Sequence, residues 1–171
     1  MKKFMTAVAV LALVGSAFGA SLKQGTQEIV VEGLFDPDTQ FDQQIDLGIK
    51  YGQFIQDNVE VGAIAAYSDN DLLEEMGFGA FAEYNFDQGT ELVPYVGVEL
   101  AWANVDGDDI ESEDAVTAAG YVGVKYFLAE NVAIAVNGKY TQASEDIYSE
   151  DGGDLEDKDL TVNIGMAFYI P

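Results

Sequence analysis

Carboxylates are the only abundant side chains in this chain that can do chemistry. Its 171 residues include 31 Asp and Glu against 7 Lys and Arg, a formal net charge of −24. Every positive side chain is a Lys, and His and Cys are absent. A Ser-His-Asp or Cys-His nucleophile therefore cannot be assembled, nor can a zinc site of the usual kind. A disulfide framework is excluded. Bidentate phosphate clamps need Arg. The acidic balance argues against nucleic acid, whose phosphates bind positive surfaces. What remains is hard-cation binding, pairing with Lys, or general acid–base work.

The acids fall into two groups. One is concentrated in the run Asp106-Gly107-Asp108-Asp109-Ile110-Glu111-Ser112-Glu113-Asp114 and in the stretch from Glu145 to Asp159. Asp106, Asp108, Asp109, Glu111 and Asp114 are candidate ligands for weakly bound calcium or magnesium. The run does not fit the EF-hand spacing. Its competing reading is a solvated surface of mutually repelling charges. No other cofactor is expected. The second group is scattered: Glu28, Glu32, Asp46, Glu60, Glu83 and Glu99, with Lys50, Lys125 and Lys139. Each sits on the small or polar side of a segment whose other side is apolar. Nothing singles out a catalytic carboxylate pair, so the protein is not expected to be an enzyme.

Those segments must position everything else. In the run from Leu160 to Ile170, one face carries Leu160, Val162, Ile164, Met166, Phe168 and Ile170. The other carries Thr161, Asn163, Gly165, Ala167 and Tyr169. Alternation at period two makes this a strand. A soluble sheet puts charge opposite its apolar face. Here that face carries Gly and Ala, which suits an apolar face in lipid and a narrow interior. Seven more segments repeat the pattern: Gln27 to Phe35, Ile45 to Ile55, Val59 to Tyr67, Glu75 to Phe86, Leu92 to Trp102, Val116 to Leu128 and Val132 to Thr141. Short turns such as Gln56-Asp57-Asn58 alternate with mostly longer acidic stretches at 36–44, 68–74, 104–115 and 142–159.

The pattern predicts an all-β fold: an eight-stranded antiparallel up-and-down transmembrane β-barrel with short periplasmic turns and longer acidic outer loops. Lipid-facing aromatics then form two bands. Phe35, Tyr67, Trp102 and Tyr140 mark the outer ends; Tyr51, Tyr84, Phe86, Tyr126 and Phe168 lie toward the inner ends. Met1 to Ala20 reads as a signal peptide, with Lys2 and Lys3, an apolar core from Phe4 to Val14 and a small-residue tail. The barrel domain is then 21–171, exported from the cytoplasm.

With that signal, the hairpin Tyr126-Phe127-Leu128-Ala129-Glu130-Asn131-Val132, the segment Pro94-Tyr95-Val96-Gly97-Val98-Glu99 and the closing strand, the chain resembles the small bacterial outer-membrane β-barrel superfamily of the OmpX and OmpA-barrel type. The resemblance covers essentially the whole mature chain. That family usually closes on an aromatic residue, whereas Pro171 ends this chain. The resemblance implies residence in the outer membrane, insertion by the assembly machinery, contact with outer-membrane lipids and loops at the cell surface. Lipid-modifying barrels of this size would bring a catalytic His, which is absent. A peptidoglycan-binding domain would need chain beyond the last strand.

The face assignment puts Glu28, Glu32, Asp46, Glu60, Glu83, Glu99, Lys50, Lys125 and Lys139 in the lumen. A barrel of this size is filled by its own side chains. A structural network of salt bridges is the expectation, in a monomeric, non-enzymatic protein whose role is structural or surface-interacting. The surface ligand is left open. The alternative is a narrow, porin-like, cation-preferring channel, and a less favoured one is a soluble periplasmic lipid-binding barrel.

Overall fold

The period-two segments become strands that close on themselves. The computed structural model describes residues 22–34, 45–69, 73–107, 110–145, 148–149 and 155–171. The strands are β1 (Gln27–Leu34), β2 (Ile45–Gln56), β3 (Val59–Asp69), β4 (Leu73–Asn85), β5 (Leu92–Gly107), β6 (Ile110–Ala129), β7 (Val132–Ala143), β8 (Tyr148–Ser149), β9 (Leu155–Glu156) and β10 (Lys158–Ile170). Eight of them form a closed barrel in the order β1-β10-β7-β6-β5-β4-β3-β2, while β8 pairs with β9 alone. β1 closes on β10 in antiparallel register from Gln27↔Ile170 to Leu34↔Asn163. Closure leaves no unpaired edge, the condition for a sheet to sit in hydrocarbon.

The inverted faces follow the sequence pattern. Val98, Leu100 and Val122 are 60%, 61% and 64% exposed, and all point outward. Lys125 and Glu28, on the opposite face, are 2% and 1% exposed. Tyr51, Tyr67, Tyr84, Phe86, Trp102, Tyr140 and Phe168 all face out. They are seven of the nine residues expected in the two aromatic bands; Tyr126 is half-buried, its hydroxyl donating to Glu91 Oε2 at 3.3 Å. Phe35 lies outside the described residues. At the inner end the β2–β3 turn closes on Asn58, which adopts φ 68. Asn tolerates that left-handed geometry better than most residues. The β2–β3 and β6–β7 pairings each carry a register shift beside the turn, at Phe54/Gln56 and Phe127/Ala129.

Two expected loops are shorter than the sequence suggested. The stretch 104–115 reads as a loop because Asp and Gly are poor strand formers. In the structure it is mostly a hairpin that extends β5 and β6, with Asn104 opposite Asp114 and Val105 opposite Glu113. About 9–11 residues suffice to cross a bilayer as a tilted strand. β5 has 16 residues and β6 has 20, so their outer ends project into water, where outward acids carry no desolvation cost. Their inward side is apolar: Ala103, Val105 and Ala115 cluster there with Ala143 of β7. The stretch 142–159 likewise gives β7 its end at Ala143, the β8–β9 pair, and the start of β10 at Lys158.

Candidate functional site

The lumen holds two ion-pair clusters, each built by strands distant in sequence. In the inner one, Lys125 of β6 lies 2.8 Å from Glu28 Oε2 of β1 and 2.7 Å from Glu83 Oε1 of β4. Glu60 Oε2 of β3 is 3.8 Å away. The Tyr169 hydroxyl donates to Glu28 Oε1 at 3.0 Å, and that of Tyr121 to Glu83 Oε2 at 3.2 Å. The Lys125 ammonium also stands over the Tyr95 ring, 5.0 Å from its centroid. Charges this deeply buried persist only when paired and hydrogen-bonded.

The outer cluster is centred on Lys50 of β2. Its ammonium lies 2.6 Å from Glu99 Oε1 and 3.6 Å from Glu32 Oε1. Lys139 of β7 approaches the other oxygen of Glu99 at 3.5 Å. The Tyr121 ring lies 4.5 Å from the Lys50 ammonium, so this one side chain touches both clusters. A polar chain continues across the strands, with Asn163 donating to Asn137 at 3.0 Å and Asn137 donating to the Tyr95 hydroxyl at 3.2 Å.

Below the charges, the inner mouth is filled. Leu22, Val30, Phe54, Val93, Phe127, Ala133, Ala167 and Tyr169 form one buried cluster. Phe127 and Tyr169 stack with ring centroids 5.1 Å apart. Leu22 enters from a strap that precedes β1. Its carbonyl accepts from the Asn58 amide at 3.0 Å, and the Gly25 amide donates to the Phe54 carbonyl at 2.8 Å. Asp57 clamps the strap from the turn: Oδ1 accepts from the Gln24 amide at 3.0 Å and Oδ2 pairs with Lys23 at 3.1 Å. The Gln24 amide first, and Lys23 second, hold the Asp57 carboxyl below the usual aspartate range.

Of the expected lumen set, Glu28, Glu32, Lys50, Glu60, Glu83, Glu99, Lys125 and Lys139 are all brought together. The side chain of Asp46 lies outside the described residues. Of the expected cation ligands in the acidic run, only Asp106 and Asp114 have described side chains. Asp106 and Asp114 are exposed strand residues, and Asp114 accepts from the Asn104 amide group at 2.9 Å. Asp108 and Asp109, and the side chain of Glu111, lie outside the described residues. Among the described residues, the one group of three carboxylates close enough to share an ion is Glu28, Glu60 and Glu83. Sequence reading missed the plug. Phe54 and Phe127 sit two residues beyond Gly52 and Lys125, so continuing the period-two phase would have placed them in the lumen.

Comparison with known proteins agrees with this architecture. The family described as outer membrane protein beta-barrel domain matches residues 4–168. No curated protein matches the chain. Among solved structures, the N-terminal β-barrel domain of Pseudomonas aeruginosa OprF is 21% identical with a TM-score of 0.64, covering 86% of this chain and 98% of that one. Neisserial surface protein A is 14% identical with a TM-score of 0.58, covering 84% and 94%. Yersinia pestis outer membrane protein Ail, in a bilayer nanodisc, is 12% identical with a TM-score of 0.56, covering 86% and 100%. At these identities the likeness concerns the fold. With the family match over nearly the full length and a closed eight-stranded barrel whose apolar face points outward, the chain belongs to the family of outer-membrane β-barrel proteins.

Proposed function

We propose that this outer-membrane barrel is non-enzymatic and has a structural or surface-interaction role, exercised through the acidic outer ends of its strands and the loops between them. The observation that carries the reading is the filled inner mouth. Leu22, Phe54, Val93 and Phe127 are at most 2% exposed and stand between the lumen charges and the inner side. An ion crossing there would shed its water among apolar side chains, which is strongly unfavourable. The lumen charges therefore serve to hold the walls together. On this reading the protein is delivered by a cleaved N-terminal signal, inserted as a monomer by the outer-membrane assembly machinery, and surrounded by lipid. Its partner at the cell surface would meet a negative surface.

The test is single-channel recording on the protein refolded in detergent and inserted into a planar bilayer, with and without millimolar calcium. The expected record is silent for a protein whose folded state is verified by its gel mobility before heating. Discrete cation-selective steps that disappear in Glu99→Gln would overturn the reading in favour of a narrow channel. Solubility of the folded protein without detergent would overturn the membrane assignment itself.

A further inference from the structure

The two lumen clusters differ in charge balance. In the outer one, Glu32 and Glu99 face Lys50 and Lys139, two acids against two bases. In the inner one, Glu28, Glu60 and Glu83 face Lys125 alone, three acids against one base. The excess of two negative charges is buried, with Glu28 and Glu60 each 1% exposed and Glu83 7%. A carboxylate oxygen from each of the three lies within 4.8 Å of the others.

Glu60 is the least satisfied member. Its Oε2 is directed at the Lys125 ammonium from 3.8 Å and accepts no hydrogen bond. Lys125 is committed to Glu28 and Glu83 by its two short contacts. Gly52 makes room for this carboxylate, because a Cβ there would overlap Glu60 Oε1 and crowd Cδ. A fully buried acceptor with no donor costs free energy and points to a missing positive partner.

Two protons or one divalent cation would cancel the excess charge, and of these only the cation can bind all three carboxylates at once. The ligands are hard carboxylate oxygens, which suit calcium or magnesium. Calcium accepts irregular sets of carboxylate ligands, whereas magnesium demands near-ideal octahedral geometry and keeps several of its waters, so a dry trio of carboxylates suits calcium better. We propose that Glu28, Glu60 and Glu83, sharing their oxygens with the Lys125 ammonium, form a lumenal site for one calcium ion, with Glu60 as the indispensable ligand. The site is separate from the surface acids. The apolar plug closes it from the inner side and the Lys50 cluster stands across its outer side, so the ion is acquired as the barrel folds and is released slowly.

The experiment is to refold the protein in detergent with calcium, wash with chelator, and measure bound metal by mass spectrometry. One calcium per barrel is expected to survive the wash in the native protein and in Asp106→Asn, with none in Glu60→Gln. A native protein that retains no calcium overturns the proposal, as does equal retention by Glu60→Gln. Should Glu60→Gln fail to fold, terbium replaces calcium in the native protein. Tyr121 and Tyr169 donate to two of the proposed ligands, so tyrosine-sensitised terbium emission that saturates at one ion and is displaced by calcium is expected. Its absence overturns the site. Infrared absorption of a protonated carboxyl in metal-free native protein, unchanged by calcium, would show that a proton fills the role instead and would also overturn it.

Discussion

Replacing Lys125 with Met isolates the electrostatic contribution of the lumen. Met keeps most of the length and volume of the Lys stem, so little cavity forms. What disappears is the ammonium, 2.8 Å from Glu28 and 2.7 Å from Glu83. Three buried carboxylates then face one another with no counter-charge. Removing one partner of a buried ion pair costs about 3–5 kcal/mol. Lys125 serves more than one carboxylate, so the loss should reach at least the upper part of that range in metal-free buffer. The assay is urea unfolding in lipid vesicles, followed by emission of Trp102, the single Trp, which faces lipid. Lys158→Met is the control. That ion pair with Asp157 is half exposed and should contribute about 0–1 kcal/mol. Adding Glu83→Gln to Lys125→Met removes one uncompensated charge and should recover part of the loss. A Lys125→Met effect no larger than that of Lys158→Met, or no recovery in the double variant, would refute the view that the network holds the walls together.

Val98→Arg places a charge on the lipid face near the middle of β5 and should cost about 2–4 kcal/mol in the same assay, whereas Asp106→Asn and Asp114→Asn should change stability by less than about 0.5 kcal/mol. Gly97→Ala adds a Cβ that overlaps the Tyr121 ring and hydroxyl; overpacking of this kind costs about 1–3 kcal/mol, and it should add to the cost of Tyr121→Phe less than independently, since both act on the same ring. Asp57 gives a pH signature. Because its carboxyl is held below the ordinary aspartate value of about 3.9, its clamp on the strap is fully present above that value and is lost as pH falls through the lower folded-state value. The Gln24 amide proton should shift over that acidic window in NMR spectra, and should not do so in Asp57→Asn.

The faces of every barrel strand were legible because alternation at period two is a local property. Leu160 to Ile170 shows it without help from any neighbour. The outer ends of β5 and β6 were misread for a physical reason. Asp106 and Asp114 look like loop residues under rules drawn from strands half-buried in a core. Outward positions on a strand that has left the bilayer meet water, so their charge costs nothing and the inward Ala103, Val105 and Ala115 set the structure. Membership of the lumen network was also legible, but the partners were not. Lys125 and Glu28 are 97 residues apart, and only the stagger of strands around the closed barrel decides which charges share a level. The strap was hidden differently. Leu22 lies two residues after a segment read as a cleaved address, and its contacts are to turn residues that no periodicity marks.

The placement of charge at the centre follows from the commitment of apolar residues elsewhere. Val98, Leu100, Val122 and Leu160 face lipid, so the strands have little apolar surface left for a core. The backbone ladder joins each strand only to its two neighbours. Lys125 on β6 reaches Glu28 on β1, and Lys50 on β2 reaches Glu99 on β5; each pair is three strands apart around the ring. These contacts tie opposing walls, which ladder bonds cannot do, and they act in a low-dielectric interior where each is stronger than in water. They also discriminate between registers. Slipping one strand by one residue would carry its buried charge into lipid and leave its partners unpaired, whereas an interior of interchangeable apolar side chains would resist that error less.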